Sequence, residues 1–295
     1  MAMPDTGSHW THGDAYERYM GRWSRRVAER FVGDLDVARG IRWLDVGCGT
    51  GALSGAVLEL CEPASLMGVD PSEGFLATAR ARYADAAGAG ARADAGARAG
   101  AGAGAEARVR FERADAAHLP LPDASIDAVV SGLVLNFTPS SEEAIAELAR
   151  VAAPGGLVAA YVWDYAAGMP LMSAFWDAAI SLDPAAAALD ESARFRRWQP
   201  AFLRDLFATA PRLAADSVTV WPIEVDAAFA DFDDYWTPFL GGQGPAPAYA
   251  MSLDPPARDA LREVVRAALP VADDGTITLG LRAWAVRARA AGGRA

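Results

Sequence analysis

An α/β fold is predicted by three features of the sequence. A strand-like run drops into a glycine-rich turn and a helix, a second apolar run ends in an acid about twenty residues later, and further apolar runs alternate with helical periodicity. The first feature is Arg42-Trp43-Leu44-Asp45-Val46-Gly47-Cys48-Gly49-Thr50-Gly51, followed by the helix-like stretch from Ala52 to Leu58. Glycine occupies every second position from 47 to 51, and only glycine lets a ligand lie directly against the backbone of such a turn. The turn is therefore read as the seat of a nucleotide-like small molecule.

Taken in order, residues 1–14 are polar with few structural signals, and Asp14 serves as an N-cap acid for a helical stretch reaching Val27. After the first strand and its helix, Ser65 to Val69 reads as a second buried strand ending in Asp70, and Ser72 caps a helix that runs to about Tyr83. Residues 84–107 are almost wholly alanine and glycine with scattered charges. Because each glycine costs roughly 1 kcal/mol in a helix interior, this stretch is expected to be a mobile surface insert, deletable without loss of ligand binding. Ser125 to Ser131 is a further strand, and Glu147 to Ala160 reads as helix, Pro-Gly-Gly turn and strand. Beyond Trp163, helical spacing recurs in Leu171, Phe175, Trp176, Ala179 and Ile180, and again from Phe195 to Phe207. Ser217 to Trp221 alternates as a strand should, Thr276 to Val286 is the last strand, and an aromatic, Pro- and Gly-rich region from Asp231 to Pro245 lies between them.

The turn's details favour one kind of nucleotide. A dinucleotide turn reads G-x-G-x-x-G and offers its helix N-terminus to a pyrophosphate. Here the spacing is G-x-G-x-G, and Asp45 stands two residues before the first glycine, where a carboxylate repels a diphosphate and attracts an ammonium group. The same order continues through Asp70, the Phe111 to Pro120 loop with Asp115, the Ser125 to Ser131 strand and the Pro154-Gly155-Gly156 turn. Residues 15–165 thereby resemble the class I S-adenosylmethionine-dependent methyltransferases of the small-molecule, type 11-like kind.

That resemblance implies a Rossmann-like, seven-stranded, mostly parallel sheet with helices on both faces, its last strand antiparallel, and a small helical and loop lid. It implies lid helices in residues 1–36, a cofactor-binding core in 37–165, and cap helices with the last two strands in 166–295. The implied cofactor is S-adenosylmethionine. Tyr16 and Arg22 would cover it, Asp45, Gly47, Gly49 and Gly51 would hold its methionyl end, Asp70 and Pro71 its ribose, and Asp115 and Ala116 its adenine, with Ser131 at the end of the fourth strand. An acceptor would meet Trp23, Asn136, Trp163, Tyr165, Tyr235 and Trp236.

Composition narrows the partners. All 27 basic residues are arginine, so Schiff-base chemistry on lysine and a P-loop lysine are both excluded. A formal charge of −11 opposes a nucleic-acid substrate, whose binding draws on clustered cations. The two cysteines, Cys48 and Cys61, fit neither a zinc site nor a disulfide framework, and no apolar stretch is long enough to span a bilayer. A cytoplasmic monomer or homodimer is expected, with a small-molecule acceptor of secondary metabolism and neither nucleic acid nor membrane as partner.

Methyl transfer is an in-line displacement at an already activated carbon, so alignment and exclusion of water suffice and a dedicated base is optional. The candidates for a base are His12, in the segment expected to close over the site, and Asp164, directly after the fifth strand. Asp164 reads equally as a solvated turn acid, His118 as a loop-packing residue, and Arg22 either as a grip on the methionyl carboxylate or as one more arginine on a wet helix face. The aromatic residues form either an acceptor wall or plain core. No metal is expected, because Asp164 and, more distantly, Asn136 are the only oxygen ligands in view. The expected function is methyl transfer to a small aromatic or apolar metabolite. The alternatives are a cofactor-bound enzyme of cyclisation or rearrangement and a nicotinamide oxidoreductase, the latter disfavoured by Asp45 and the glycine spacing.

Overall fold

Strand β1 (Arg42–Val46) is buried at every position but its first, as a strand covered on both faces must be. It pairs in parallel with β2 (Ser65–Asp70) on one side and β4 (Ile126–Gly132) on the other. Strand β2 pairs in parallel with β3 (Val109–Arg113), and β4 with β5 (Ala152–Trp163). With β6 (Thr219–Phe229) and β7 (Ile277–Arg289) the sheet has seven strands in the order β3-β2-β1-β4-β5-β7-β6. Strands β5 and β7 run antiparallel: the Gly155 N–H donates to the Ala290 carbonyl at 3.0 Å and the Ala290 N–H to the Gly156 carbonyl at 2.8 Å. This is the mostly parallel sheet that the resemblance implied, reversed last strand included. The computed structural model describes residues 20–84, 86, 108–241 and 244–292, so most of the alanine–glycine insert, Tyr16 and His12 lie outside the described residues.

Helices follow their caps. Helix α1 (Arg22–Asp34) continues past the expected end at Val27 because Ala28, Phe31 and Val32 extend its buried stripe. Helix α2 (Ala52–Cys61) leaves the glycine turn, and α3 (Glu73–Arg82) starts at Ser72, whose side chain accepts from the Phe75 N–H. Helix α4 (Ser141–Val151) is capped by Ser140 and carries Glu142 and Glu143 in its first turn and Arg150 in its last, each sign matching the helix dipole. Trp43, Leu44, Val129, Val130, Val158 and Ala159 are fully buried in the sheet, and each large apolar side chain among them contributes about 2 kcal/mol.

Later in the chain come α5 (Pro170–Leu182), α6 (Glu191–Phe195), α7 (Pro200–Ala208), α8 (Phe232–Trp236), α9 (Pro245–Ser252) and α10 (Pro255–Ala268). Strand β6 extends well past Trp221, the limit of the alternation seen in sequence. It includes Pro222, which is tolerated because β6 is the edge strand.

The chain divides into two compact units. A core unit comprises Ala28–Val162, Pro200–Trp221 and Ala285–Ala295, and a cap unit comprises Met1–Val27, Trp163–Gln199 and Pro222–Trp284. The chain returns to the core unit at Pro200 and again at Ala285. No helix among the described residues is long and apolar enough to cross a membrane.

Candidate functional site

Within the core unit, β1 delivers Asp45 to the carboxyl end of the sheet, where open α/β folds bind ligands. The side chain is fully buried; its Oδ2 accepts from Ser54 Oγ at 2.7 Å, while Oδ1 has no hydrogen-bond partner among the described residues. Burial pushes the carboxyl up to about 7, against the opposing pull of the Ser54 hydroxyl. An orphaned carboxylate oxygen in the interior is costly, and it calls for a donor that a ligand brings.

The turn after Asp45 is fastened to β2, since the N–H groups of Gly47 and Cys48 both donate to the Val69 carbonyl, at 2.7 and 2.9 Å. Glycine is required at two of its positions. Gly47 has φ +74°, and a Cβ there would stand 2.5 Å from Val134 Cγ1. Gly51 has φ +88°, and a Cβ there would stand 2.6 Å from Tyr83 Cε2. Gly49, between them, donates its N–H to Asp70 Oδ2 at 3.0 Å.

Asp70, at the end of β2, is 7 % exposed. Its Oδ1 accepts from the Ser72 N–H at 2.8 Å, so each oxygen takes one backbone donor and keeps a lone pair for a ligand hydroxyl. Burial raises its pKa, and the N–H groups of Ser72 and Gly49 act the other way. Pro71 beside it is exposed. After β3, Asp115 is exposed and closes an Asx turn, its Oδ1 accepting from the Ala117 N–H at 2.8 Å, which presents Ala116 at the loop. The Ser131 hydroxyl donates to the Val46 carbonyl at 2.8 Å and is fully buried, so it fastens β4 to β1.

Past β4 the chain turns through Leu133 at φ +61°, a left-handed value that costs a leucine about 1 kcal/mol. The turn sets Val134 against Gly47 and leads into a short helical turn, Leu135–Phe137, holding Asn136. Asn136 is 8 % exposed, and neither Oδ1 nor Nδ2 has a partner among the described residues.

The remaining sequence candidates belong to the cap unit. Arg22 is not on a wet face: its Nη1 pairs with Asp234 at 3.1 Å, its guanidinium lies 4.4 Å over Trp23 and 4.8 Å over Phe229, and its Nε and Nη2 are buried without partners among the described residues. That leaves free the edge of the fork that suits a carboxylate. Asp164 stands in an ion pair with Arg282. It is fully buried, Oδ2 accepts from Arg282 Nε and Nη2 at 2.8 and 2.6 Å, and Oδ1 from Gln199 Nε2 at 2.8 Å. Tyr235 and Trp236 are core rather than an open wall, 0 % and 4 % exposed. The Tyr235 hydroxyl donates to the Leu171 carbonyl, and Trp236 stacks near Phe175 and Phe232. Trp23 and Trp163 are likewise buried, whereas Tyr165 is half-buried against Phe195 at 5.0 Å.

Sequence reading missed Tyr83, whose hydroxyl donates to the Gly51 carbonyl at 2.8 Å, and Arg82, which donates to the Thr50 carbonyl at 3.0 Å. Both lie one helical face from the turn they brace, and only the position of α3 against the turn reveals them.

A parallel sheet whose first strand ends in a buried acid before alternating left-handed glycines, and whose second ends in an acid tied to that turn, defines an S-adenosylmethionine-dependent class I methyltransferase domain. Residues 44–160 match the type 11 methyltransferase domain family, and this stretch of the chain belongs to it, with S-adenosylmethionine as its cofactor. Among relatives, Methyltransferase GfsG of Streptomyces halstedii is 34% identical over 134 residues, 45% of this chain and 42% of that one. A demethylmenaquinone methyltransferase of Staphylococcus aureus is 32% identical over 140 residues, 46% of this chain and 47% of that one. The chain thus spans about half the length of the curated relatives it matches. In fold, it is similar to a methyltransferase structure from Bacillus halodurans with a TM-score of 0.52 at 14% identity, covering 89% of this chain and 97% of that one.

Proposed function

We propose that the protein transfers a methyl group from S-adenosylmethionine to a small, apolar or aromatic metabolite. The observation that carries this reading is the unpartnered Asp45 Oδ1, a buried acceptor waiting beside the glycine turn for a cationic group. When bound, S-adenosylmethionine supplies a methyl carbon already activated by its sulfonium. Asp45 and the glycine turn would hold its amino-acid end, Asp70 would accept the ribose hydroxyls, and the Asp115 loop would border the adenine.

The protein's part is then binding, orientation and exclusion of water, and Asp164, held by Arg282 and Gln199, is not assigned the role of a base. An apolar ring as acceptor is supported by the quinone named in one family of relatives and by the half-open apolar side chains Leu133, Val134 and Phe137 beyond β4. Incubation with methyl-labelled S-adenosylmethionine and a pool of phenols, hydroquinones and cyclic amides is expected to put label into the organic phase with equal release of S-adenosylhomocysteine. Conversion of an acceptor without that release would favour cyclisation or rearrangement.

A further inference from the structure

Asn136 is a buried carboxamide with both polar atoms unpartnered among the described residues. An amide kept for structural reasons is hydrogen-bonded, because each buried polar atom left alone is destabilising. The turn that places it is itself strained at Leu133, a pattern found where the chain gives up stability for a site. Its position separates it from most of the cofactor's length. The adenine loop follows β3, and the order β3-β2-β1-β4 sets three strand spacings, on the order of 14 Å, between that loop and the end of β4. The ribose acid Asp70 belongs to β2, whereas Val134, two residues before Asn136, touches the glycine turn at Gly47. Asn136 therefore stands on the side of the turn where the reactive end would lie, and the polar groups assigned to the cofactor do not include it.

The surroundings specify what an amide there can read. Residues 132–141 contain no ionisable side chain, so the segment has no charge to offer a charged ligand. Leu133 and Val134 are half-buried and Phe137 is 37 % exposed, which leaves apolar surface open around the amide. A carboxamide presents one donor and one acceptor side by side and is complementary to a group that does the same.

We propose that the Asn136 carboxamide reads the methyl acceptor, and that the acceptor is a neutral, flat, largely apolar ring bearing a hydrogen-bond donor and acceptor on adjacent atoms, as a cyclic amide does. This rests on the methyltransferase reading above and adds the chemical class of its substrate. Asn136 acts by orienting the ring, and the amide takes no proton.

The test uses the full chain saturated with S-adenosylhomocysteine and titrated calorimetrically with 2-quinolinone, which carries the donor–acceptor pair, and with naphthalene, which has the same outline without it. The native protein is expected to bind both. Asn136→Leu and the smaller Asn136→Ala are expected to bind 2-quinolinone at least tenfold more weakly, naphthalene as before, and S-adenosylhomocysteine within twofold of the parent. A melting temperature for Asn136→Leu at or above the parent's is expected too, because an unsatisfied amide has been removed. Equal 2-quinolinone affinity in parent and variants, or no binding to the loaded parent, overturns the proposal. A tenfold loss of S-adenosylhomocysteine affinity in both variants overturns it by making Asn136 a cofactor group. Failure of the native protein to bind S-adenosylhomocysteine is a separate result, which removes the methyltransferase reading itself.

Discussion

Asp45 shows how a single residue can be held at odds with its surroundings. Its pKa of about 7 in the folded chain, against an ordinary 3.8, means that folding favours its protonated form. The stability this gives is fully present below about pH 4 and is lost as pH rises through about 7. Asp45→Asn, which cannot ionise, is expected to melt higher than the parent at pH 8, by an amount on the order of 3 kcal/mol in stability, and equally at pH 4. Ligand binding should move in the opposite sense. The ionised Asp45 attracts an ammonium, so S-adenosylhomocysteine affinity is expected to fall as pH drops below about 7 in the parent, and Asp45→Asn is expected to bind weakly with no such pH dependence. Calorimetry at several pH values checks both. The acid itself was legible in the sequence because it is local: strand, acid and alternating glycines all fall within ten residues. That one oxygen is satisfied by Ser54 and the other by nothing was not legible, since it depends on how α2 packs back on β1.

Elements carry the geometry that residues alone do not. The glycine turn is held from below by β2, through the two bonds to Val69, and braced from the side by α3, through Tyr83 on the Gly51 carbonyl. Tyr83→Phe is expected to lose about 1 kcal/mol of stability, the usual worth of one hydrogen bond, with little change in the fold as judged by circular dichroism. Gly47→Ala is expected to do more harm, through both the left-handed φ and the contact with Val134. A loss of about 2 kcal/mol in denaturant unfolding, with weakened cofactor binding, would be the signature. The turn's spacing was readable from sequence, but its need for glycine against Val134 joins positions 87 residues apart and was not. The aromatic residues of α8 mark a further limit. Composition places Tyr235 and Trp236 in a rich aromatic stretch, and only the packing of α8 among Phe175, Phe232 and Phe239 turns them inward.

At the scale of the molecule, the parallel part of the sheet follows from the alternation of strands and helices, which the sequence carries over more than a hundred residues, whereas the reversed β7 was implied by the resemblance alone. The division into units was less legible because the chain leaves and rejoins the core twice, and no composition shift marks the returns at Pro200 and Ala285. The cap unit has its own anchor in Asp164, which meets Arg282 across 118 positions of sequence. Asp164 is fully buried and the Arg282 side chain is 31 % exposed, so removing the acid leaves a half-buried guanidinium without its partner. Asp164→Ala is therefore expected to destabilise the protein by about 2 kcal/mol, visible as a lower melting temperature, whereas a role in proton transfer would lower turnover without that loss.

Calorimetric titration of the native protein and Asp70→Ala with S-adenosylhomocysteine and, in parallel, with reduced nicotinamide dinucleotide tests the central claim most directly. One S-adenosylhomocysteine per chain is expected, weakened at least tenfold by Asp70→Ala through the loss of two hydrogen bonds to a buried diol, with no heat from the dinucleotide. Binding of the dinucleotide in its place, or an S-adenosylhomocysteine affinity indifferent to Asp70, would contradict it.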